Sequence, residues 1–283
     1  AGCKWDEIYA SLEPYNVAVA GARVPVVPIF SGVGLILGGG YSWITDQYGL
    51  GIDNVVSFDL VLPNGTFVTV SDPEILFGLK GGLNKFGIVS GMTMYARPLG
   101  AVWGGMITHT PSDEISQVLG DFSLYSTDGK AQIVADYVQT GVGQAAWLLI
   151  IMFYDRGFQL AVYQPFLDIP ALASNVGVPL TDNRSIIAVI LGVERFVGAF
   201  DFETPSAYPH SPNRQVTPAN PFITFPNLAD TKYFHDLLWK MLNAIQAFAV
   251  SQGQSRWDDI HFPNLALDDT PKKLLESDPT FLS

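Results

Sequence analysis

The stretch Ser31-Gly-Val-Gly-Leu-Ile-Leu-Gly-Gly-Gly40 puts five glycines into ten residues. Glycine loses more conformational freedom on folding than any other residue. Chains therefore concentrate it where the backbone must turn sharply or approach another group closely. Two readings follow from the residues alone. Backbone N–H groups with no Cβ in the way can cradle a phosphate, or the segment is a tightly turned β region with a crowded backbone. It is not a Walker loop, because no Gly-Lys-Ser/Thr follows. The dinucleotide spacing GxGxxG also fails. After Gly32 and Gly34, Leu37 stands where the third glycine belongs, and no acidic residue ends a following strand at the usual distance.

The rest of the chain bounds the answer. Its 283 residues suit one large domain or two ordinary ones. With 48% hydrophobic and 15% charged residues, it has ample material for a core and is not a disordered chain. A net charge of −12 argues against nucleic acid as a partner. Cys3 is the lone cysteine, so no internal disulfide forms. The longest apolar run, Ala145 to Tyr154, is too short for a membrane span of about 20 residues and predicts a strand buried on both faces. Two sequons, at Asn64 and Asn183, are compatible with a secreted protein. Neither a Gly-x-Ser-x-Gly elbow nor a His/Glu metal spacing occurs, so no metal is expected.

Local patterns predict an α+β chain. Helical spacing of Trp5, Ile8, Tyr9 and Leu12 predicts a helix over 4–12, and Val17 to Val27 reads as extended. Strands 55–62 and 66–70 flank Pro63-Asn64-Gly65, a hairpin turn. Asp72-Pro73 starts a helix that ends at Gly81-Gly82. Further strands are expected at 87–95, 102–109, 132–139, 146–154 and 215–225, with helices at 112–125, 158–166 and 230–252. Long strands between irregularly spaced helices suggest an antiparallel sheet covered by helices on one face. Residues 203–221 carry five prolines and read as a long loop.

Three segments in order carry a resemblance. After the glycine cluster come Tyr48-Gly49 with Asp53-Asn54-Val55-Val56, then Ile75-Leu-Phe-Gly-Leu-Lys80-Gly81-Gly82-Leu-Asn84-Lys-Phe86-Gly87-Ile88-Val89. As a set they resemble the FAD-binding domain of the p-cresol methylhydroxylase/vanillyl-alcohol oxidase type, with berberine bridge enzyme-like proteins and their fungal branch nearest in pattern. The match covers roughly residues 1–98. It implies FAD as cofactor, with Gly34, Gly38, Gly39, Gly40 and Tyr41 along the pyrophosphate and ribityl chain, and Gly87, Ile88 and Val89 against the cofactor through their main chain. Asp53 and Asn54 are expected to support the site rather than bind. Asp201 and Glu203, ahead of Pro209-His210, match a strand that supplies a catalytic base in relatives; the alternative is that both are solvated loop carboxylates. Asn264 matches an asparagine that returns to the flavin, although the two flanking tyrosines of the family are Phe262 and Leu265 here.

The resemblance further implies three parts: a partial FAD-binding domain (its second subdomain) over 1–98, a substrate-binding domain over 99–255, and a C-terminal return to the FAD domain over 256–283. An N-terminal FAD subdomain would precede Ala1 as a missing segment, and the family's closing C-terminal helix is not found. The family's tryptophan before LKGG is Gly78, and neither a histidine nor a cysteine stands in a position for covalent flavin attachment. The implied activity is that of an oxidase. Hydride passes from an alcohol, sugar or secondary metabolite to flavin, and electrons then pass to oxygen. The alternative is a truncated, non-catalytic remnant of the same fold.

Overall fold

The computed structural model describes residues 2–23, 32–82, 85–139, 145–176, 189–194, 219–223 and 231–257. These fall into two compact units, one within Ala1–Gly100 and the other within Ala101–Arg195 and Val216–Asp259. Among the described residues, no helix is long and apolar enough to cross a membrane.

The first unit opens with helix α1 (Trp5–Leu12). Its N-terminus is closed by Glu7, whose carboxylate accepts the Lys4 N–H at 3.1 Å. Strand β1 (Val17–Ala18) follows. The first half of the glycine cluster departs from the β reading of its sequence, because it is helical, α2 (Gly32–Leu37). Packing overrides propensity here. Ile36 is fully buried, and the helix rests on β4, so tertiary contact offsets the roughly 1 kcal/mol that each glycine costs a helix. A short helix α3 (Thr45–Tyr48) and a 3-10 turn (Gly51–Asn54) come next.

Strands β2 (Val55–Val61) and β3 (Phe67–Val70) form the expected hairpin. Gly65 takes φ 82°, the left-handed conformation that the Asn-Gly turn requires. Asp72 caps helix α4 (Pro73–Leu79), accepting from the N–H groups of Glu74 and Ile75 at 3.0 and 3.2 Å. Strand β4 (Ile88–Met94) completes a three-stranded antiparallel sheet of order β3-β2-β4. Strand β5 (Arg97–Pro98) pairs back with β1.

The second unit is built on a six-stranded antiparallel sheet of order β11-β10-β7-β8-β6-β9. Its strands are β6 (Trp103–His109), β7 (Ala131–Gln139), β8 (Trp147–Tyr154), β9 (Ala173–Val176), β10 (Val189–Glu194) and β11 (Ala219–Ile223). One face packs on helix α5 (Asp113–Tyr125) and on the segment holding helix α6 (Gln164–Asp168). Ile107, Ile133, Leu148, Ile150 and Met152 from the sheet meet Ile115, Phe122, Tyr163 and Phe166 there. Each fully buried side chain of this size contributes on the order of 1.5–3 kcal/mol. The Tyr163 hydroxyl donates to the carbonyls of Phe153 at 2.5 Å and Gln132 at 3.3 Å, which anchors the ring at the centre of this cluster. Helix α7 (Thr231–Ser251) packs on β11.

Three expectations are corrected. Strand β8 alternates between fully and partly buried residues along its whole length, so it is buried on one face rather than two. The helix expected at 158–166 begins only at Ala161 as a 3-10 turn, and Pro165 sits in the first turn of α6. Phe158, counted toward that helix, is an exposed aromatic. Strands β9 and β10 were not expected. The part of the extended stretch over 24–27 lies outside the described residues.

Candidate functional site

Gly39 and Gly40 are held by their carbonyl groups. The Gly51 N–H donates to the Gly40 carbonyl at 2.7 Å and the Ile52 N–H to the Gly39 carbonyl at 2.9 Å. Their φ values of 110° and 81° are ones that other residues rarely adopt. A Cβ on Gly51 would lie 2.4 Å from Ile36 Cδ1 and 2.6 Å from the Ala20 carbonyl oxygen. Gly38, Gly39, Gly40 and Tyr41 are all buried, whereas Gly34, in α2, is exposed. The candidate residues of the cluster therefore divide into a packed base and an accessible helical part.

The second group of candidates sits on the strand against which α2 packs. Gly87 has φ 144°, and a Cβ there would come within 2.6 Å of the Val61 carbonyl oxygen, so β2 and β4 close together only around a glycine. Val89 points inward and is buried. Ile88 points the other way and is 72% exposed, a large apolar side chain open to solvent at the start of an edge strand. Along β2 and β3, Ile88 pairs with Val61 and Val61 with Phe67, and Phe67 is also exposed. The structure thus brings Gly34 and Ile88 onto adjacent elements, both open to solvent.

Asp53 and Asn54 are interior struts. Both are buried. The Leu50 N–H donates to Asp53 Oδ2 at 2.9 Å. Asn54 Nδ2 donates to the carbonyls of Tyr48 and Leu50, each at 2.9 Å, and its Oδ1 accepts from Arg97 Nε and Nη2 at 3.0 and 2.8 Å. The Arg97 guanidinium in turn lies 5.0 Å from the ring centres of both Tyr48 and Tyr95.

Two buried groups near these struts escaped the sequence reading. Lys80, within Leu-Lys-Gly-Gly, is a buried lysine, and burial lowers its pKa while the nearby Asp53 carboxylate opposes the shift. Gln47, in α3, has a buried amide nitrogen Nε2 with no hydrogen-bond partner. No sequence pattern marks the burial of either. Asp201, Glu203 and Asn264 lie outside the described residues. Among the described residues, no three His, Cys, Asp or Glu side chains gather as metal ligands would.

No protein-family model matches the chain. It is 32% identical over 183 residues to an uncharacterized FAD-linked oxidoreductase of Arthroderma benhamiae, covering 62% of this chain and 35% of that protein. It is likewise 32% identical over 197 residues to the FAD-dependent monooxygenase macF of Penicillium terrestre, covering 68% of this chain and 36% of that one. The chain spans about a third of the length of these curated relatives. Among solved structures, 6-hydroxy-D-nicotine oxidase from Arthrobacter nicotinovorans superposes with a TM-score of 0.68 at 16% identity, over 99% of this chain and 72% of that one. Berberine bridge enzyme from Eschscholzia californica superposes with a TM-score of 0.72 at 14% identity, over 95% and 65%. Over these segments the chain is similar in sequence to fungal FAD-linked oxidoreductases, and it has the fold of 6-hydroxy-D-nicotine oxidase and berberine bridge enzyme. The α+β architecture expected from the sequence is present, with helices on one face of an antiparallel sheet.

Proposed function

We propose that this chain forms one wall of an FAD site in an oxidoreductase acting on a small molecule, with oxygen as the final electron acceptor. The observation that carries the reading is that Gly34 and Ile88, both exposed, lie on two elements packed against each other. The residues suit the cofactor. Gly34 lets a ligand approach its backbone with no Cβ in the way, and Ile88 offers an apolar surface to a flat ring. A buried donor without a partner, such as Gln47 Nε2, is a group that a bound polar molecule can complete. When bound, FAD supplies the electron- and hydride-accepting chemistry. The chain's own part is to bind, orient and exclude water. Ile88 would cover apolar cofactor surface, while the buried segment Gly38–Tyr41 and Val89 would hold the wall in place from beneath. Asp201 or Glu203 would take the substrate hydroxyl proton, and Asn264 would contact the cofactor.

The relatives span far more sequence than this chain, so catalysis is proposed for the complete protein. Several are named monooxygenases, which favours a second reading in which oxygen is inserted into substrate rather than reduced to peroxide. Secretion also belongs to the proposal, since Asn64 of the first sequon is exposed on the β2–β3 turn. The deciding measurement is the visible spectrum of the purified chain after incubation with FAD and gel filtration. A flavin band near ~450 nm that elutes with the protein supports the site. A colourless protein fraction sinks it. Peroxide yield per substrate oxidised then separates the oxidase from the monooxygenase.

A further inference from the structure

Asn54 uses every hydrogen-bonding position of its side chain. It is fully buried. Its Nδ2 donates to the carbonyls of Tyr48 and Leu50, each at 2.9 Å. Its Oδ1 accepts from Arg97 Nε at 3.0 Å and from Nη2 at 2.8 Å. A primary amide has two donors and two acceptor positions, so none is left over. The amide is thereby fixed with its oxygen toward the guanidinium and its nitrogen toward the two carbonyls. The Tyr95 N–H closes the same corner on the Asn54 carbonyl at 2.8 Å. Arg97 is half-buried on β5, and its guanidinium lies 5.0 Å from the ring centres of both Tyr48 and Tyr95. A planar fork held between two rings has little freedom left, which is the setting where arginine and lysine differ most.

A run of hydrogen bonds leads from this corner to the accessible glycine helix. Asn54 ends the turn Gly51–Asn54, and its two carbonyl partners lie just ahead of that turn. Within the turn, the Gly51 N–H donates to the Gly40 carbonyl at 2.7 Å and the Ile52 N–H to the Gly39 carbonyl at 2.9 Å. The Gly39 N–H donates in turn to the Ile36 carbonyl at 3.0 Å. Ile36 belongs to α2, the helix that carries exposed Gly34. Gly39 and Gly40 have no side chains to anchor them, so their placement depends on these backbone partners. We infer that Arg97 is a positioning residue of the cofactor wall. Its fork on Asn54 locks residues 48–54, and through Gly39 and Gly40 that loop sets where α2 presents Gly34. Arg97 acts through Asn54 and needs no contact with a ligand. The inference rests on the cofactor reading for its functional meaning, but its structural content stands in the ligand-free chain.

The test is hydrogen–deuterium exchange of the full chain without flavin, with FAD binding measured on the same preparations by quenching of flavin fluorescence. Arg97→Met keeps an apolar stem against the two rings and removes the fork. Amides over residues 36–52 should then exchange at least about tenfold faster, while those of α4 and of the hairpin over 58–70 stay within about twofold of wild type. Arg97→Lys, with a point donor in place of the fork, should give a smaller rise of about threefold in the same segment, and it serves where Arg97→Met does not fold. Asn54→Asp separates positioning from a simple tie between β5 and the loop. It offers Arg97 a stronger, charged acceptor but turns the two donors into oxygens that face carbonyls. Exchange over 36–52 should therefore also rise at least about tenfold in Asn54→Asp, whereas a simple tie would be as tight or tighter. The FAD dissociation constant should rise at least about fivefold in Arg97→Met, since a wall that is no longer preorganised must be ordered on binding. Unchanged exchange over 36–52 in the Arg97 variants overturns the inference. So does a rise shared equally by α4 and the hairpin, exchange at the wild-type rate in Asn54→Asp, or FAD bound equally well by wild type and Arg97→Met. A wild-type chain that binds no FAD would sink the cofactor reading, while the exchange data would still decide whether Arg97 positions the loop.

Discussion

Gly51→Ala tests whether the glycine segment is set by packing from below. The added methyl would lie 2.4 Å from Ile36 Cδ1, 2.6 Å from the Ala20 carbonyl oxygen and 3.3 Å from the Gly40 carbonyl oxygen. The first contact is with a side-chain tip that can swing away; the second is with backbone that cannot. Overpacking of this kind costs roughly 1–3 kcal/mol. Displacing Gly51 also weakens its 2.7 Å bond to the Gly40 carbonyl, worth about 1 kcal/mol. The expected loss is therefore about 2–4 kcal/mol, read as a lower midpoint in urea unfolding followed by tryptophan fluorescence. Ile36→Val removes the Cδ1 atom and should cost about 1 kcal/mol alone. In the Gly51→Ala background it should instead recover stability, but only in part, because the Ala20 contact remains. Gly120, in α5, has nothing within 4 Å of where its Cβ would be, so Gly120→Ala should be neutral or stabilising by up to about 1 kcal/mol. A Gly51→Ala protein within about 0.5 kcal/mol of wild type would refute the reasoning, and so would strict additivity with Ile36→Val.

Ile88→Ser should leave urea stability within about 0.5 kcal/mol of wild type, because the side chain is mostly exposed, yet reduce flavin retention in gel filtration; equal retention would remove Ile88 from the site. This is a cleaner probe than Gly39→Asp, which places a side chain at a buried position with φ 110° and so disturbs the fold as well. Alkaline stability should depend on Tyr163. Burial raises its pKa above the ordinary tyrosine value, so its contribution is complete below about pH 10 and is lost as pH rises beyond that point. Thermal melts should therefore be flat between neutral pH and about pH 9.5 and decline above it. Tyr163→Phe should be less stable at neutral pH, having lost the bonds to Phe153 and Gln132, but show a shallower alkaline decline. An unchanged decline would place the alkaline sensitivity elsewhere.

The elements that were legible in the sequence are those whose signal is local. Asp72-Pro73 gives a cap and a fixed first turn, Asn64-Gly65 gives a turn conformation, and α5 and α7 carry long apolar stripes. What was illegible depends on distant contacts. Helix α2 forms among glycines because Ile36 is enclosed by residues from elsewhere in the chain, including Gly40 and Gly51. Strand β9, Ala-Ser-Asn-Val, has no periodicity to read, since three of its residues are exposed and among the described residues it pairs with β6 alone. Strand β8 is uniformly apolar, so its two faces look alike until the sheet shows which one the helices cover. At the candidate site, the ordered motifs located the glycine cluster and the strand beginning at Ile88. They could not separate Gly34, which is accessible, from Gly38–Gly40, which are packed away. They also could not show that Lys80 is buried, since a lysine in Leu-Lys-Gly-Gly carries no local mark of burial.

The order of the six-stranded sheet also governs how the chain meets its neighbours in a crowded solution. A sheet can grow by recruiting another strand wherever its outermost strand offers a straight row of free backbone groups. Among the described residues, one border is β9, four residues long, and the other is β11, five residues long, with Pro221 in its middle and paired to Leu191. Proline has no N–H to offer to either side. The longest strands of this sheet, β6, β7 and the wholly apolar β8, lie inside these borders with both of their own edges already occupied. The segments best suited to cross-β stacking are thus shielded by position, and the strands left at the margin are the least able to propagate it.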